Sequence, residues 1–216
     1  MNIIAQIFFG GFAVYAVYSE LYRRRNELSF ILTIWKRFRF GMFLQTFILA
    51  LTVISTFVFL NRQSAFFHYG WLHIIFENGG NIILAPIVSG SQSTHLAIRL
   101  LTPVFLYSLI LVLPFFAQTE ENCFRRGYHT MSEIILQSVY FGLVHLVVGI
   151  SLSIAVALII PGFFFAYKYE NTYRKLSKVM SKKEASNEAI LVSTTYYVMM
   201  NTIIIGYLAI LCILCI

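Results

Sequence analysis

The residues with the clearest chemical potential lie in the hexapeptide EENCFR at positions 120–125, which follows a hydrophobic stretch. On an α-helix Glu121 and Arg125 stand one turn apart with the acid first, the favourable order, so we expect them to form an ion pair. Glu120 is rotated by about 100° from Glu121 and therefore faces another surface. A carboxylate that is partly removed from water beside a second carboxylate becomes a stronger base, so Glu120 is a candidate general base.

Phe141 and His145 form a second polar interruption of an apolar helix, whose start is marked by a capping box, Thr130-x-x-Glu133. Their spacing of four residues places both on one helix face. A single histidine on an apolar helix is more often a hydrogen-bonded core residue than a catalyst, but polar groups at bilayer depth usually face a cavity or a partner. Both interpretations of His145 stay open.

A third interruption pairs Tyr197 with Asn201, again four residues apart, directly after Thr194 and Thr195. At about 1.5 Å of rise per residue, Asn201 and His145 reach similar depths from their loops, and Glu120 lies shallower. The alternative for all three interruptions is hydrogen bonding that joins helices, and for Asn201 by itself that alternative is the better one.

The acidic residues exclude several chemistries, because all nine are glutamates and the chain has no aspartate. Aspartate-dyad intramembrane proteases, P-loop nucleotidases with a magnesium-binding aspartate and aspartate-based proton pumps are therefore excluded or disfavoured. The motifs HExxH, GxSxG and GxxxxGK[ST] are absent as well. The pair Cys212 and Cys215 lies in an apolar stretch, where small buried residues are far commoner than redox or metal sites.

These residues must be positioned by membrane helices, because a chain that is 59% hydrophobic and 12% charged cannot cover a soluble domain with polar surface. Hydrophobic runs near the ~20 residues that cross a bilayer occupy residues 3–18, 40–60, 100–117, 131–150, 151–167 and 189–211. The sequence predicts an all-α, polytopic transmembrane helix bundle. The first run lacks a convincing cleavage site, so we expect it to stay as an anchor.

The basic residues predict the topology. Segment 71–88 contains Asn78-Gly79-Gly80-Asn81, Glu77 and Pro86, which favours a re-entrant or interfacial segment over a span. If this segment does not cross, fourteen of sixteen Lys and Arg residues share one side, which the positive-inside rule makes cytoplasmic. Six spans are therefore favoured, with both termini outside, and seven or eight are the alternative. The net charge of +7 is explained by these loops, so no nucleic acid partner is expected.

Two basic segments between the runs have their own predictions. Residues 21–40 mix Arg and Lys with bulky apolar residues, which favours either an amphipathic helix on an anionic cytoplasmic leaflet or a simple connecting loop. Residues 168–188 are polar and basic, which indicates a solvated loop; a lipid-headgroup site is the less favoured interpretation.

The order and spacing of the three interruptions resemble the CPBP or Abi family of intramembrane proteases, which includes the CAAX prenyl endopeptidases and the bacteriocin self-immunity proteins. Its patterns are EExxxR, then FxxxH about twenty residues later, then HxxxN on a later helix. Glu120, Glu121 and Arg125 match the first pattern, and Phe141 and His145 match the second. In the third, Asn201 matches but Tyr197 stands in place of the histidine. The resemblance covers residues 103–207, which predicts N-terminal transmembrane and interfacial helices in 1–99 and a CPBP-like core in 100–216.

The resemblance implies a conical cavity in which a peptide or membrane-protein substrate is cleaved. Glu120 and His145 would activate water, Asn201 would donate to the oxyanion, and Glu121, Arg125, Phe141 and Tyr197 would support them. No metal or other cofactor is expected, because a catalytic zinc takes three protein ligands and at most Glu120, His145 and Glu121 converge.

The alternative is a catalytically degenerate protein that keeps the fold. It would bind a peptide, lipid or pigment, or act as an accessory or assembly subunit of a larger membrane complex. The histidine missing at Tyr197 favours this alternative, whereas the retained Glu120, His145 and Asn201 favour the enzyme.

Overall fold

The computed structural model describes residues 3–70 and 96–214, and the regular secondary structure of these residues is helical throughout. The α-helices are α1 (Ile3–Arg23), α2 (Leu28–Lys36), α3 (Phe40–Gln63), α4 (Leu96–Arg125), α5 (Met131–Val144), α6 (Leu152–Ala157), α7 (Ile159–Leu176) and α8 (Lys182–Leu214). Short 3₁₀ turns cover Arg25–Glu27, Ala65–His68 and His145–Val148. The prediction of an all-α fold is confirmed for these residues, and segment 71–88 lies outside them.

Four described helical segments are long and apolar enough to cross a membrane. They are Phe40–Gln63, Pro103–Arg125, Leu152–Leu176, which joins α6 and α7, and Lys182–Leu211. These lengths and compositions are those of an integral membrane protein.

The run at 131–150 forms a shorter helix than its hydrophobicity predicts. Its start is as expected, because the Thr130 hydroxyl accepts from the Glu133 N–H and the Glu133 carboxylate accepts from the Thr130 N–H. The α-helix ends at Val144, and the turn His145–Val148 ends at Gly149, whose φ of 84° is left-handed. Glycine adopts that conformation without steric cost, so the chain reverses there into α6.

Helix α4 continues through Pro114 and ends at Arg125. Gly127, with a φ of 86°, begins the turn toward α5. Arg24, which precedes α2, contacts the helical turn that follows Pro114. Arg24 donates to the carbonyl oxygen of Phe115 at 3.4 Å, and its guanidinium lies 4.4 Å from the centre of the Phe115 ring.

Helix α5 crosses α6 and α7 at very short distance, which two glycines permit. A Cβ on Gly142 would lie 2.5 Å from the carbonyl oxygen of Ala155, and one on Gly162 would lie 3.0 Å from that of Ser138. Small residues at such crossings let helix backbones approach closely in membranes. The crossing places Phe141 in the core between α5, α7 and α8, where it contacts Phe165 and Tyr197.

Side-chain contacts gather four inter-helix turns at one end of the bundle, which we call the basic end. Arg37 donates to both carboxylate oxygens of Glu188 at 3.0 and 3.2 Å, and Arg126 donates to Asn187 at 3.1 Å. Arg24 joins the turn between α1 and α2 to Gln118 of α4. Since Leu106 and Ala209 are buried together further along, α4 and α8 run antiparallel.

Residues 21–40 contain a helix at this basic end, so the simple connecting loop is wrong. Helix α2 is anchored by Ile34, which is fully buried among core residues, and by the Arg37–Glu188 ion pair. At the opposite end, the Leu152 N–H donates to the Tyr69 carbonyl at 3.0 Å.

Candidate active site

The site is centred on the carboxylate of Glu120, which α5 and α8 both approach. The Tyr197 hydroxyl on α8 donates to Glu120 Oε2 at 2.8 Å. His145 Nε2, just past the end of α5, lies 4.0 Å from the same oxygen. The side chains of Glu120 and His145 are 34% and 21% exposed, so solvent reaches the space between them. Three helices distant in sequence therefore bring an acid, an imidazole and a phenol together.

The tautomer of His145 follows from its second contact. Its Nδ1 lies 2.7 Å from the carbonyl oxygen of Phe141, one turn earlier on α5. A carbonyl oxygen only accepts hydrogen bonds, so Nδ1 carries the hydrogen. In the neutral ring, Nε2 then presents a lone pair toward Glu120. This arrangement suits a group that accepts a hydrogen bond from water beside the carboxylate.

Phe141 forms the inner wall of the site and is almost completely buried. Its ring makes edge-to-face contacts with His145 at 5.0 Å and with Tyr197 at 5.9 Å between centroids. The guanidinium of Arg125 lies 5.0 Å from the centre of the same ring. A single aromatic side chain thus fixes the positions of the imidazole and the phenol relative to each other.

Behind this wall, Glu121 and Arg125 form the ion pair that their spacing predicts. Arg125 Nε lies 3.5 Å from Glu121 Oε2, and both side chains are 0% exposed. Within the described residues, both Glu121 oxygens and Arg125 Nε and Nη2 lack a well-formed hydrogen bond, and so does the buried Thr194 hydroxyl on α8. Such a pair is held mainly by charge in a medium of low dielectric constant. Because Arg125 also contacts the Phe141 ring, the pair can support this wall without taking part in a reaction at Glu120.

Asn201 lies one turn beyond Tyr197, and its side chain is engaged locally. Its Nδ2 donates to the Tyr197 carbonyl oxygen at 3.1 Å, on its own helix. Across the described parts of the chain, the structure records no bond from Asn201 to Glu120 or His145. The amide keeps a second N–H that is available to a ligand. The structure therefore groups Glu120, His145 and Tyr197, with Asn201 at the edge of the group.

No protein-family model matches the chain, and neither does a curated protein or a solved structure. The resemblance to CPBP proteases accordingly depends on residues 103–207 of the sequence and stays a prediction. In residues 3–70 and 96–214, no three His, Cys or Glu side chains come together as metal ligands.

Sequence reasoning missed a second polar cluster at the basic end. His129 Nδ1 lies 2.7 Å from Glu170 Oε2, Arg174 Nε donates to the other oxygen at 2.6 Å, and the His129 ring stacks on Tyr173 at 4.3 Å. Glu170 and Arg174 have the helical spacing that marks Glu121 and Arg125, and this signal could have drawn attention to them. His129 lies 41 residues away, so no local pattern could have connected it.

Proposed function

We propose that the chain is an intramembrane endopeptidase of the CPBP type, which cleaves membrane-embedded or membrane-delivered peptides with water activated by Glu120 and His145. One observation carries the proposal: Glu120 Oε2 and His145 Nε2 lie 4.0 Å apart in a partly exposed position. A water molecule at ordinary hydrogen-bond distance, about 2.8 Å, can contact both atoms.

In the proposed reaction Glu120 takes one proton from this water. His145 Nε2 accepts a hydrogen bond from the other O–H of the water. The water oxygen attacks the peptide carbonyl carbon, and the carbonyl oxygen becomes an oxyanion. Protonated Glu120 no longer attracts the Tyr197 hydroxyl strongly, so that hydroxyl and the second N–H of Asn201 can donate to the oxyanion. When the carbon–nitrogen bond breaks, Glu120 returns its proton to the leaving amine. Each oxyanion donor contributes about 3–4 kcal/mol in comparable sites.

The proposed topology has six spans with the basic end in the cytoplasm. Contacts at both ends of the bundle support this count, because they give successive segments alternating directions. The six segments are α1, α3, α4, α5, α6 with α7, and α8. The basic turns then follow the positive-inside rule. Glu120, five residues before the end of α4, would lie near the cytoplasmic surface, where a peptide can enter from water or from lipid.

Cleavage of a defined peptide pool by the reconstituted protein tests this proposal. We expect mass spectrometry to detect products with the wild type, and Glu120→Gln and His145→Ala to lower the rate at least about 100-fold, as removal of a general base does. Glu184→Gln and His68→Ala make similar changes at exposed positions outside the site and should keep the wild-type rate. Unchanged turnover in Glu120→Gln would exclude the proposed mechanism.

A non-catalytic binding or accessory role is the second candidate, and one observation favours it. The Tyr197 hydroxyl already donates to Glu120, and Asn201 donates to its own helix. Both proposed oxyanion donors therefore have hydrogen-bond acceptors within the protein. This role predicts that a peptide, lipid or membrane-protein partner co-purifies in the same amount with the wild type and with Glu120→Gln. Loss of the partner in that variant, together with cleavage by the wild type, would exclude it.

A further inference from the structure

Helix α2 has a second, outward-facing side that the bundle does not cover. Leu28 and Leu32 are 49% and 59% exposed, although both are large and apolar. Lys36 lies four residues after Leu32, so Leu28, Leu32 and Lys36 follow one face of α2. Arg25 lies in the 3₁₀ turn before the helix, where its guanidinium is 4.7 Å from the centre of the Tyr22 ring. Both cations are exposed. The result is an outward stripe of two leucines that ends in Lys36, with Arg25 just before its start.

This outward stripe is held rigidly against the bundle. On the inner side of α2, Ile34 is fully buried and Phe30 stacks on Phe115 of α4 at 6.0 Å. Arg37, directly after the helix, makes its two hydrogen bonds to Glu188 of α8. Since the inner side satisfies the packing of α2, the exposed leucines are not needed for the fold of the described residues.

The turn between α7 and α8 adds further cations at the basic end. Lys178, Lys182 and Lys183 are exposed on the turn between α7 and α8, together with the apolar Val179. Glu27 pairs with Arg24, whereas Glu184 accepts hydrogen bonds from Ser181 and keeps its charge, so the three lysines of the turn outnumber its acid. The basic end therefore carries an excess of positive charge. Its exposed apolar side chains include Leu28, Leu32 and Val179.

We propose that the outward stripe of α2, together with the Lys178–Lys183 turn at the same end of the bundle, is a docking surface for the anionic phospholipid headgroups of the adjoining leaflet. Cations at both ends match lipid phosphates, and the leucines between them match the upper acyl chains, which is the pattern of an interfacial helix. An acidic protein would match the cations but would leave the leucines without an apolar partner. The surface is independent of any reaction at Glu120.

Fluorescence of Trp35 tests the docking surface, because this residue lies on α2 beside the stripe, partly exposed and with one side packed on the core. The variant Trp71→Phe leaves Trp35 as the single tryptophan of a chain that has two. Quenching of Trp35 is measured for the reconstituted protein in two kinds of phosphatidylcholine vesicle. One contains a minor fraction of brominated phosphatidylglycerol, and the other contains the same fraction of brominated phosphatidylcholine. We expect the anionic lipid to quench at least about twofold more strongly, and the excess to fall with added salt.

The double variant Arg25→Gln/Lys36→Gln should lower this quenching ratio toward one, and Arg62→Gln, at the opposite end of α3, should leave it unchanged; an unchanged ratio in the double variant would also overturn the proposal. Salt titration of the single-tryptophan protein gives the same information if the double variant does not fold. Equal quenching by both lipids, or an excess that salt does not reduce, would overturn the proposal; equal quenching would favour an acidic protein as the occupant.

Discussion

At the scale of single residues, Tyr197 has two separate contacts, one through its hydroxyl and one through its ring. Its hydroxyl donates to Glu120, while its ring packs against Phe141 and Phe165 in the core. A histidine at this position is shorter, so its donor nitrogen would lie nearer to α8 than the phenol oxygen does. Tyr197 thus combines a structural ring with a polar end at the site.

Removal of this hydroxyl separates the two roles. We expect Tyr197→Phe to keep the fold, since the ring remains, and to lower peptide cleavage about 100-fold if the hydroxyl donates to the oxyanion. Tyr197→His supplies the histidine of the CPBP pattern that the sequence resembles and should preserve or raise the rate. Tyr196→Phe, on the neighbouring position of α8, serves as the control for the turnover assay. Full activity in Tyr197→Phe would show that the hydroxyl is not a donor in the reaction.

The buried ion pair offers a second prediction at this scale. Arg125→Leu leaves the carboxylate of Glu121 buried without its partner, which costs about 3–5 kcal/mol in comparable pairs. The double variant Glu121→Gln/Arg125→Leu removes that charge and should recover much of the loss. Arg126→Leu, at the exposed neighbour, should cost less than about 1 kcal/mol. Thermal unfolding in detergent measures the stabilities of the three variants. Equal stability of Arg125→Leu and the double variant would contradict the prediction.

At the scale of helices, the crossing of α5 over α6 and α7 determines where His145 lies. Gly142 permits the close approach, and His145 follows it by three residues, where α5 passes into a 3₁₀ turn. The position of the imidazole is therefore set by backbone contact between helices as well as by its own hydrogen bond to Phe141. A change in this crossing should move the imidazole relative to Glu120.

Gly142→Ala tests the crossing directly. The added Cβ would meet the Ala155 carbonyl oxygen at 2.5 Å, so the backbones must separate, at a cost of about 1–3 kcal/mol. Gly206→Ala on α8 is the matched control, because its Cβ meets no described atom within 4 Å, and alanine is the better helix former. Unfolding curves in one detergent should separate the two variants; similar midpoints would mean that α5 and α6 pack less tightly.

At the scale of the whole molecule, the basic end collects the cations of several loops. Pairs such as Arg37 with Glu188 join turns that are distant in the sequence, so these cations lie at one end of the bundle. Arg62 lies near the end of α3 that is opposite to this surface. The asymmetry of charge is thus a property of the folded bundle as well as of its loops.

Sided cysteine labelling checks this arrangement. In a background where Cys123, Cys212 and Cys215 are replaced by serine or alanine, Arg25→Cys and Lys178→Cys should react with an impermeant maleimide from the cytoplasmic side. Phe66→Cys, at the other end of α3, should react from the opposite side. Reaction of the residue 66 and residue 178 variants from the same side would exclude the six-span topology.

The sequence alone determined features that depend on neighbours within about one helical turn or on composition. The helical class, the Thr130–Glu133 capping box and the Glu121–Arg125 pair are of this kind, because side chains three or four residues apart meet on any helix. Composition and apolar run length likewise indicated a membrane protein before any contact was known.

Only the tertiary structure decided which helices meet and in what register. The hydroxyl of Tyr197 reaches Glu120 across 77 residues of sequence, and Arg37 reaches Glu188 across 151. Such meetings depend on where glycines let backbones approach and on where a helix ends, as α5 does at Val144 rather than near residue 150. Periodicity within one helix carries no information on its rotation and height relative to another, because packing between helices sets both.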